Sequence, residues 1–254
     1  VDGRYLIMPK LKPIKMKESL RFDGSIKTAV LSRTAGKWFV SLSIEVDDKS
    51  IVHGKNHAIG IDLGIKAFAT YFDGVKHWNS PTLKPYRILQ NRIKVLSKQL
   101  SRKNKGSNNR YKARVQLAKL HSSIANIRKD YLHKLTHFLT NNYSIIGIET
   151  LDVKSMSKNR LLSKSILDAG FYEFSRQLQY KSNLYGSTIV KSDKFYPSTK
   201  LCSKCNYKLA TLSLSVRAWT CPSCNTHHDR DENASTNLYN YAVSSTVKAC
   251  GEMV

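Results

Sequence analysis

Acidic residues are the scarcest part of this chain's charge. Eighteen Asp and Glu stand against 42 Lys and Arg among 254 residues, a formal charge of +24 at pH 7, and between Gly74 and Ile148 the only acid is Asp130. So one-sided a surface disfavours a cationic partner and points to a polyanion. A basic protein of ribosomal type meets the same description, so charge alone assigns no activity. Long apolar runs are missing too: no stretch approaches the ~18 residues of a membrane span, and no charged start with an apolar stretch reads as a signal peptide. The expected setting is cytoplasmic, with no membrane partner. Cysteine is sparse, at five residues, and four of them fall in two close pairs while Cys250 stands alone. In a reducing compartment close pairs favour a metal over disulfides. With 41% hydrophobic residues and no repeat or low-complexity tract, the chain can build one large domain or two small ones with a real core.

Residues 1 to about 50 alternate apolar and polar in short runs, such as "IKTAVLS" and "KWFVSLSIEV", with turn pairs at Asp23-Gly24 and Ala35-Gly36. The pattern predicts antiparallel strands belonging to a small barrel. The polar run "DDKSIVHGKNH" reads as a linker, and "HAIGIDLGIKAFATYF" followed by Asp73-Gly74 predicts a strand and the start of a hairpin. From Lys84 to Asn141 the period becomes helical. Tyr86, Leu89, Ile93, Leu96 and Leu100 form one stripe; beyond "KNKGSNN", Tyr111, Val115, Ala118, Ile124, Ile127, Tyr131, Leu135 and Phe138 form the next. This hairpin is either a coiled-coil-like structural arm with a solvated face or a basic wall lying along nucleic acid; ordinary solvated faces mix both signs, so the near absence of acid favours the second. "YSIIGIETL" predicts another strand, Ser165 to Tyr185 a helix, and "GSTIVKSD" a strand.

Cys202-x2-Cys205 and Cys221-x2-Cys224, fifteen residues between the pairs, have the spacing of a four-cysteine zinc ribbon, in which two tight knuckles close a tetrahedron of thiolates. All four positions are filled, so the zinc is structural. His227 and His228 read as surface or nucleic-acid contacts.

Two carboxylates stand inside strand-forming runs, Asp62 in "AIGIDLG" and Glu149 in "IIGIET". Alternation puts Asp62 on the face of Gly60 and Gly64, and Glu149 on that of Gly147. A buried carboxylate without a partner costs several kcal/mol, roughly, so each calls for a cation or a hydrogen-bond donor. A third acid, Asp231, lies in "HHDRDENASTNLYNYA", which reads as a helix start with Asp229, Asp231 and Glu232 near its positive end. Taken alone it is an ordinary acidic helix start. Two strand acids and a helix acid, far apart in sequence, are what a ribonuclease H-like domain gathers to hold two Mg²⁺ ions for phosphodiester cleavage. The glycines beside Asp62 are expected to let the scissile phosphate come close.

"GIDLGIKAFAT", "IIGIETL", "DAGFYEFSRQLQYKSNLYG", "YPSTKLCSKC" and "HDRDENASTNL" resemble, in order and spacing, the RuvC-like nuclease domain of the insertion-sequence TnpB (OrfB) family, relatives of the type V CRISPR effectors. The likeness runs from about Ile26 to Leu238. It implies an α/β fold: a ribonuclease H-like (RuvC) domain over 55–200 carrying a helical hairpin at about 84–141, a zinc ribbon over 201–226, a last RuvC-like helix and tail over 227–254, and a small wedge-like β segment over 1–54. It further implies a transposon-encoded, RNA-guided, Mg²⁺-dependent DNA endonuclease with DNA and guide RNA as partners, found at the nucleoid when DNA is bound. By matching motif, Asp62 is the acid shared by both metals, Glu149 the second ligand and Asp231 the third, preferred to Asp229. Family members usually begin with the first part of the wedge and a helical recognition domain, for which this chain lacks room, so a fragment, a truncated copy or a compact variant is expected. A non-cleaving RNA- or DNA-binding protein and a strand-transferring transposase stay open beside the nuclease.

Overall fold

The computed structural model describes residues 1–21, 23–45, 57–80, 84–159, 163, 169–213 and 215–251. All but His57 of the expected linker at 47–57, and the Cys250 side chain, lie outside the described residues. The chain divides into two compact units, 1–49 with 92–122 and 50–91 with 123–254.

In the first unit β1 (Tyr5–Leu6) pairs with β2 (Ile14–Lys15), and β3 (Ser25–Thr34) with β4 (Lys37–Glu45). Thr34 faces Lys37 across Ala35 and Gly36. Both loop residues have positive φ, 52° and 78°, as a two-residue hairpin loop matched to the strand twist requires. The expected barrel is not formed by the described residues: they make two separate two-stranded ribbons, and β3 is exposed along its whole length with β4 as its one neighbour.

Helices α1 (Lys84–Ser101) and α2 (Asn108–Asn142) form the expected hairpin. Leu89, Ile93, Leu96 and Leu100 are half-buried, as their spacing predicts. Gly106 turns the connection at φ 84°, the Ser107 hydroxyl accepts the Arg110 amide at 3.2 Å, and the Arg110 guanidinium donates to the carbonyls of Leu100 and Lys103. The apolar stripe of α2 differs from expectation. Ile124, Leu132, Thr136 and Leu139 are buried, whereas Tyr111 and Phe138 are exposed, because the helix buries a drifting face rather than one straight line of positions.

The second unit is built on a five-stranded sheet in the order β7-β6-β5-β8-β9. Its strands are β5 (Ala58–Leu63), β6 (Ala69–Phe72), β7 (His77–Asn79), β8 (Ile145–Ile148) and β9 (Thr188–Lys191). β5, β6 and β7 run antiparallel in succession; β8 and β9 run parallel to β5. Register sorts the faces. Ile59 pairs with Ile146 and Ile61 with Ile148, and these four form the core with Leu132, Leu139, Phe174 and Leu178. The helix α3 (Val153–Met156) is capped by Asp152, whose carboxylate accepts the Ser155 amide. Helix α4 (Phe171–Tyr185) starts after Gly170 and ends at Gly186, both left-handed; the earlier part of the helix expected from Ser165 falls largely outside the described residues. The last helix, α5 (Arg230–Gly251), follows a short hairpin of β10 (Ala218–Thr220) and β11 (His227–Asp229).

Candidate active site and metal centre

Gly60 and Gly147 are paired across β5 and β8 on the face opposite the isoleucines. A Cβ on Gly60 would collide with the Ser235 carbonyl and the Tyr239 amide, and one on Gly147 with the Leu238 carbonyl. The two glycines therefore let the backbone of α5 lie directly on the sheet. This corrects the expectation that the glycines beside Asp62 leave room for a phosphate: the helix fills the space over Gly60, and Gly64 faces the Ala67 carbonyl in a tight turn.

That contact decides where the acids go. Asp62 lies two residues beyond Gly60, Glu149 two residues beyond Gly147, and Asp231 one helical turn before Ser235. All three therefore come to the C-terminal ends of the parallel strands at the start of α5, where the helix dipole is positive. Asp62 is buried, at 7% exposure. Its carboxyl is pushed well above the usual carboxylate range by that burial first, then by a hydrogen bond and charge repulsion with Glu149 and by the charge of Asp231, with Arg230 opposing. Such a carboxyl, crowded by two other acids, suits a divalent cation.

Asp231 is shared with two cations. Arg217, from the cysteine ribbon, reaches it at 3.3 Å and Arg230 at 3.1 Å. The three acids do not close into a set of ligand atoms as tight as the cysteines; among the described residues, only the four cysteines place three or more such atoms within 4.8 Å of one another. Asp229 has a different place. Its carboxylate accepts the amides of Asp231 and Glu232 at 2.9 and 3.1 Å, which makes it the N-cap of α5 and turns it to the backbone.

In the ribbon, the Asn206 amide returns to the Cys202 carbonyl and the Asn225 amide to the Cys221 carbonyl, both at 2.9 Å. Asn206 and Asn225 take φ of 62° and 56°, the left-handed turn that asparagine tolerates and a knuckle needs. Sγ atoms of Cys202 and Cys224, and of Cys205 and Cys221, are 3.6 Å apart. The four thiols fit one tetrahedral zinc. His228 corrects the reading of a surface histidine: it is buried, its Nε2 lies 3.1 Å from Cys202 Sγ, and its ring rests against Trp219. An N–H directed at a ligating sulfur steadies the thiolate. His227 is exposed, beside Thr220.

The ribbon is tied to α5 by residues that pattern reading passed over. Asn237 donates to the carbonyls of Ser198 and Leu201 at 2.7 and 2.6 Å. Asn233 donates to Leu201 and accepts the Ser203 amide, and the Arg230 amide bonds the Arg217 carbonyl. Two asparagines four apart in "ENASTNL" were the available signal, since a helix has little use for asparagine unless its amide meets a partner. Arg217 is the only arginine between Leu201 and Thr226; nothing in its sequence neighbourhood points to Asp231.

Comparisons with known proteins bear on the family and on the fold. The family description OrfB_IS605, "Probable transposase", matches residues 41–160, and the "Cas12f1-like, TNB domain" matches 171–238. A "Putative RNA-guided DNA endonuclease" of Streptomyces pristinaespiralis is 39% identical over 99% of this chain and 61% of its own length. The "Putative RNA-guided DNA endonuclease InsQ" of Escherichia coli K12 is 34% identical over 100% of this chain and 65% of its own length. The chain thus spans under two thirds of the length of these relatives. Among solved structures, a CRISPR-Cas12f ternary complex matches with a TM-score of 0.57 at 19% identity, covering 80% of this chain and 42% of that one. That is a likeness of mixed α/β fold.

Proposed function

The chain belongs to the TnpB (OrfB) family of insertion-sequence proteins, and on that premise we propose that it carries the nuclease part of an RNA-guided DNA endonuclease cleaving phosphodiester bonds at Asp62, Glu149 and Asp231. The observation that carries the reading is the meeting of these acids, with Asp62 buried and crowded by the other two. The sheet order, three antiparallel strands followed by two parallel ones, supports a ribonuclease H-like (RuvC) assignment. Asp62, Glu149 and Asp231 would hold Mg²⁺, which when bound activates water and stabilises the leaving oxygen. Burial and the neighbouring Glu149 raise the Asp62 carboxyl, which makes a cation beside it favourable. Arg217 and Arg230 hold Asp231 in place and add positive charge where a phosphate approaches. The four cysteines would hold one structural zinc, and the ribbon, bonded to Asn233 and Asn237, sets the start of α5 and so the position of Asp231.

The partners proposed are target DNA and a guide RNA, in keeping with +24 of charge, and the proposed place of action is the cytoplasm. No described helix is long and apolar enough to cross a membrane. The test is Mg²⁺-dependent cleavage of a plasmid with a randomised flank by the protein expressed with its neighbouring transcript, wild type against Asp62→Ala. Cutting at a guide-matched site is expected for the wild type and is expected to disappear in the variant, with nucleic-acid binding kept. Full cleavage by Asp62→Ala would remove the assignment; binding without cutting by the wild type would favour a non-cleaving binder, and end-joined product a transposase.

A further inference from the structure

Along α5 lies a hollow of about 500 Å³. Tyr239, Asn240 and Tyr241 of α5 line it, with Tyr196 from the loop after β9 and Ser203 and Asn206 from the first cysteine knuckle. In a chain of +24, no lining residue carries a charge. The nearest cation in the chain is Lys204, exposed between Ser203 and Asn206; Lys194, two residues before Tyr196, is paired with Asp152 at 3.3 Å.

The lining is aromatic and has polar groups to offer. The rings of Tyr196 and Tyr241 are 4.8 Å apart, and the Tyr196 hydroxyl donates to the Asn237 carbonyl at 3.4 Å, which holds its ring in place. The Ser203 hydroxyl and the amides of Asn206 and Asn240 bond no other side chain or backbone group among the described residues. Asn206 is also fixed in direction, because the knuckle holds its backbone left-handed. A neutral aromatic hollow with unspent amides and an exposed lysine on the adjoining knuckle matches the chemistry of a base flanked by its phosphates.

We infer that this hollow receives one unpaired nucleobase of a single-stranded nucleic acid, its face against Tyr241 and Tyr196, its edge on Asn206 and Asn240, a flanking phosphate toward Lys204. The inference rests on the nucleic-acid reading for its partner and is independent of the carboxylates. Asn240 lies nine residues past Asp231, about 13 Å along the helix axis at ~1.5 Å per residue. A strand seated there and held at the acids has at least that distance to span. The hollow then sets the register of a strand relative to its cut.

The test uses the full chain in an Asp62→Ala background, so that no probe is cut. Binding of (dT)12, (rU)12 and a twelve-base-pair duplex is measured, and 2-aminopurine is walked through each single strand. Tyr241→Ala is expected to weaken single-strand binding about tenfold, leave duplex binding unchanged and abolish 2-aminopurine quenching at one position; Tyr241→Phe keeps all three. The DNA and RNA arms show which strand is seated. Asn240→Ala, on an exposed position, gives the same single-strand loss in smaller degree without a change in melting temperature. Unchanged single-strand affinity in both alanine variants overturns the inference, as does an equal loss on duplex. Failure of the nuclease reading appears separately, as cleavage that survives Asp62→Ala.

Discussion

The sheet beneath α5 and the cysteine ribbon both gather residues distant in sequence, and they are ordered by different forces. Under the sheet, Ile59, Ile61, Ile146, Ile148, Leu132, Leu139, Phe174 and Leu178 make one continuous buried cluster, so Asp62 and Glu149 are placed by hydrophobic burial and strand register. The ribbon's buried cluster is Cys202, Trp219 and Cys221, too small to fold unaided, and on the proposed reading its order comes from a metal held by the four cysteines. Asp231 stands between these regimes: its helix is seated on the sheet by Gly60 and Gly147, while its first turn is tied to the ribbon through Asn233, Asn237 and Arg217. On that reading two acids are insensitive to zinc, and the third is not.

The strongest way to break this contrast is to take the zinc away. Cys221→Ser, or a chelator, removes on the order of 10 kcal/mol of local folding energy. Amides of β10 and β11 are expected to lose hydrogen-exchange protection, cleavage to fall sharply, and β5 and β8 to stay protected. Equal loss of protection in the sheet would mean that the two regions are one cooperative unit. A smaller effect in the opposite direction is expected from Gly147→Ala, whose methyl group must push α5 off the sheet at about 2–3 kcal/mol. The denaturant midpoint should fall while about one zinc per chain is retained; an unchanged midpoint would show that the helix has room to move.

The smallest effect sharpens the account of the acids. Because burial and Glu149 raise the Asp62 carboxyl above 3.8, the native protein binds its proton more tightly than the unfolded chain does. That contribution to stability is complete below about 3.8 and is lost as pH rises through the raised value. Without Mg²⁺, Asp62→Asn should therefore be more stable than wild type at neutral pH by about 1–2 kcal/mol, and the difference should vanish near pH 3. Melting curves against pH for both proteins, with and without Mg²⁺, check it; a wild type as stable as the variant at pH 7 in chelated buffer would show that Asp62 already has a compensating partner.

Much of this was legible along the chain. The strands at 58–63 and 145–148, the helical hairpin and the knuckles at Cys202 and Cys221 each follow from a local period or spacing. The barrel expected at the start was not legible, because alternation tells that strands exist and not how many neighbours each finds. Tyr111 and Phe138 were placed on the buried stripe of α2 and are exposed, since burial depends on what lies opposite. His228 looked like its neighbour His227, and only the knuckle turns one ring onto Cys202 and leaves the other in solvent.

The sequence by itself determined which residues could do chemistry here: four thiols at knuckle spacing, two carboxylates in strands, one at a helix start, and a charge that suits a polyanion. These are short-range properties, set by side-chain type and by spacings of two to four residues. Tertiary structure alone decided that Gly60 and Gly147 serve a helix rather than a phosphate, that Asp229 caps α5 while Asp231 meets Arg217 and Arg230, and that two asparagines fasten the ribbon to that helix. Each of those outcomes depends on an atom contributed from another part of the chain, and close approach across a packed interface leaves no periodic trace in the sequence.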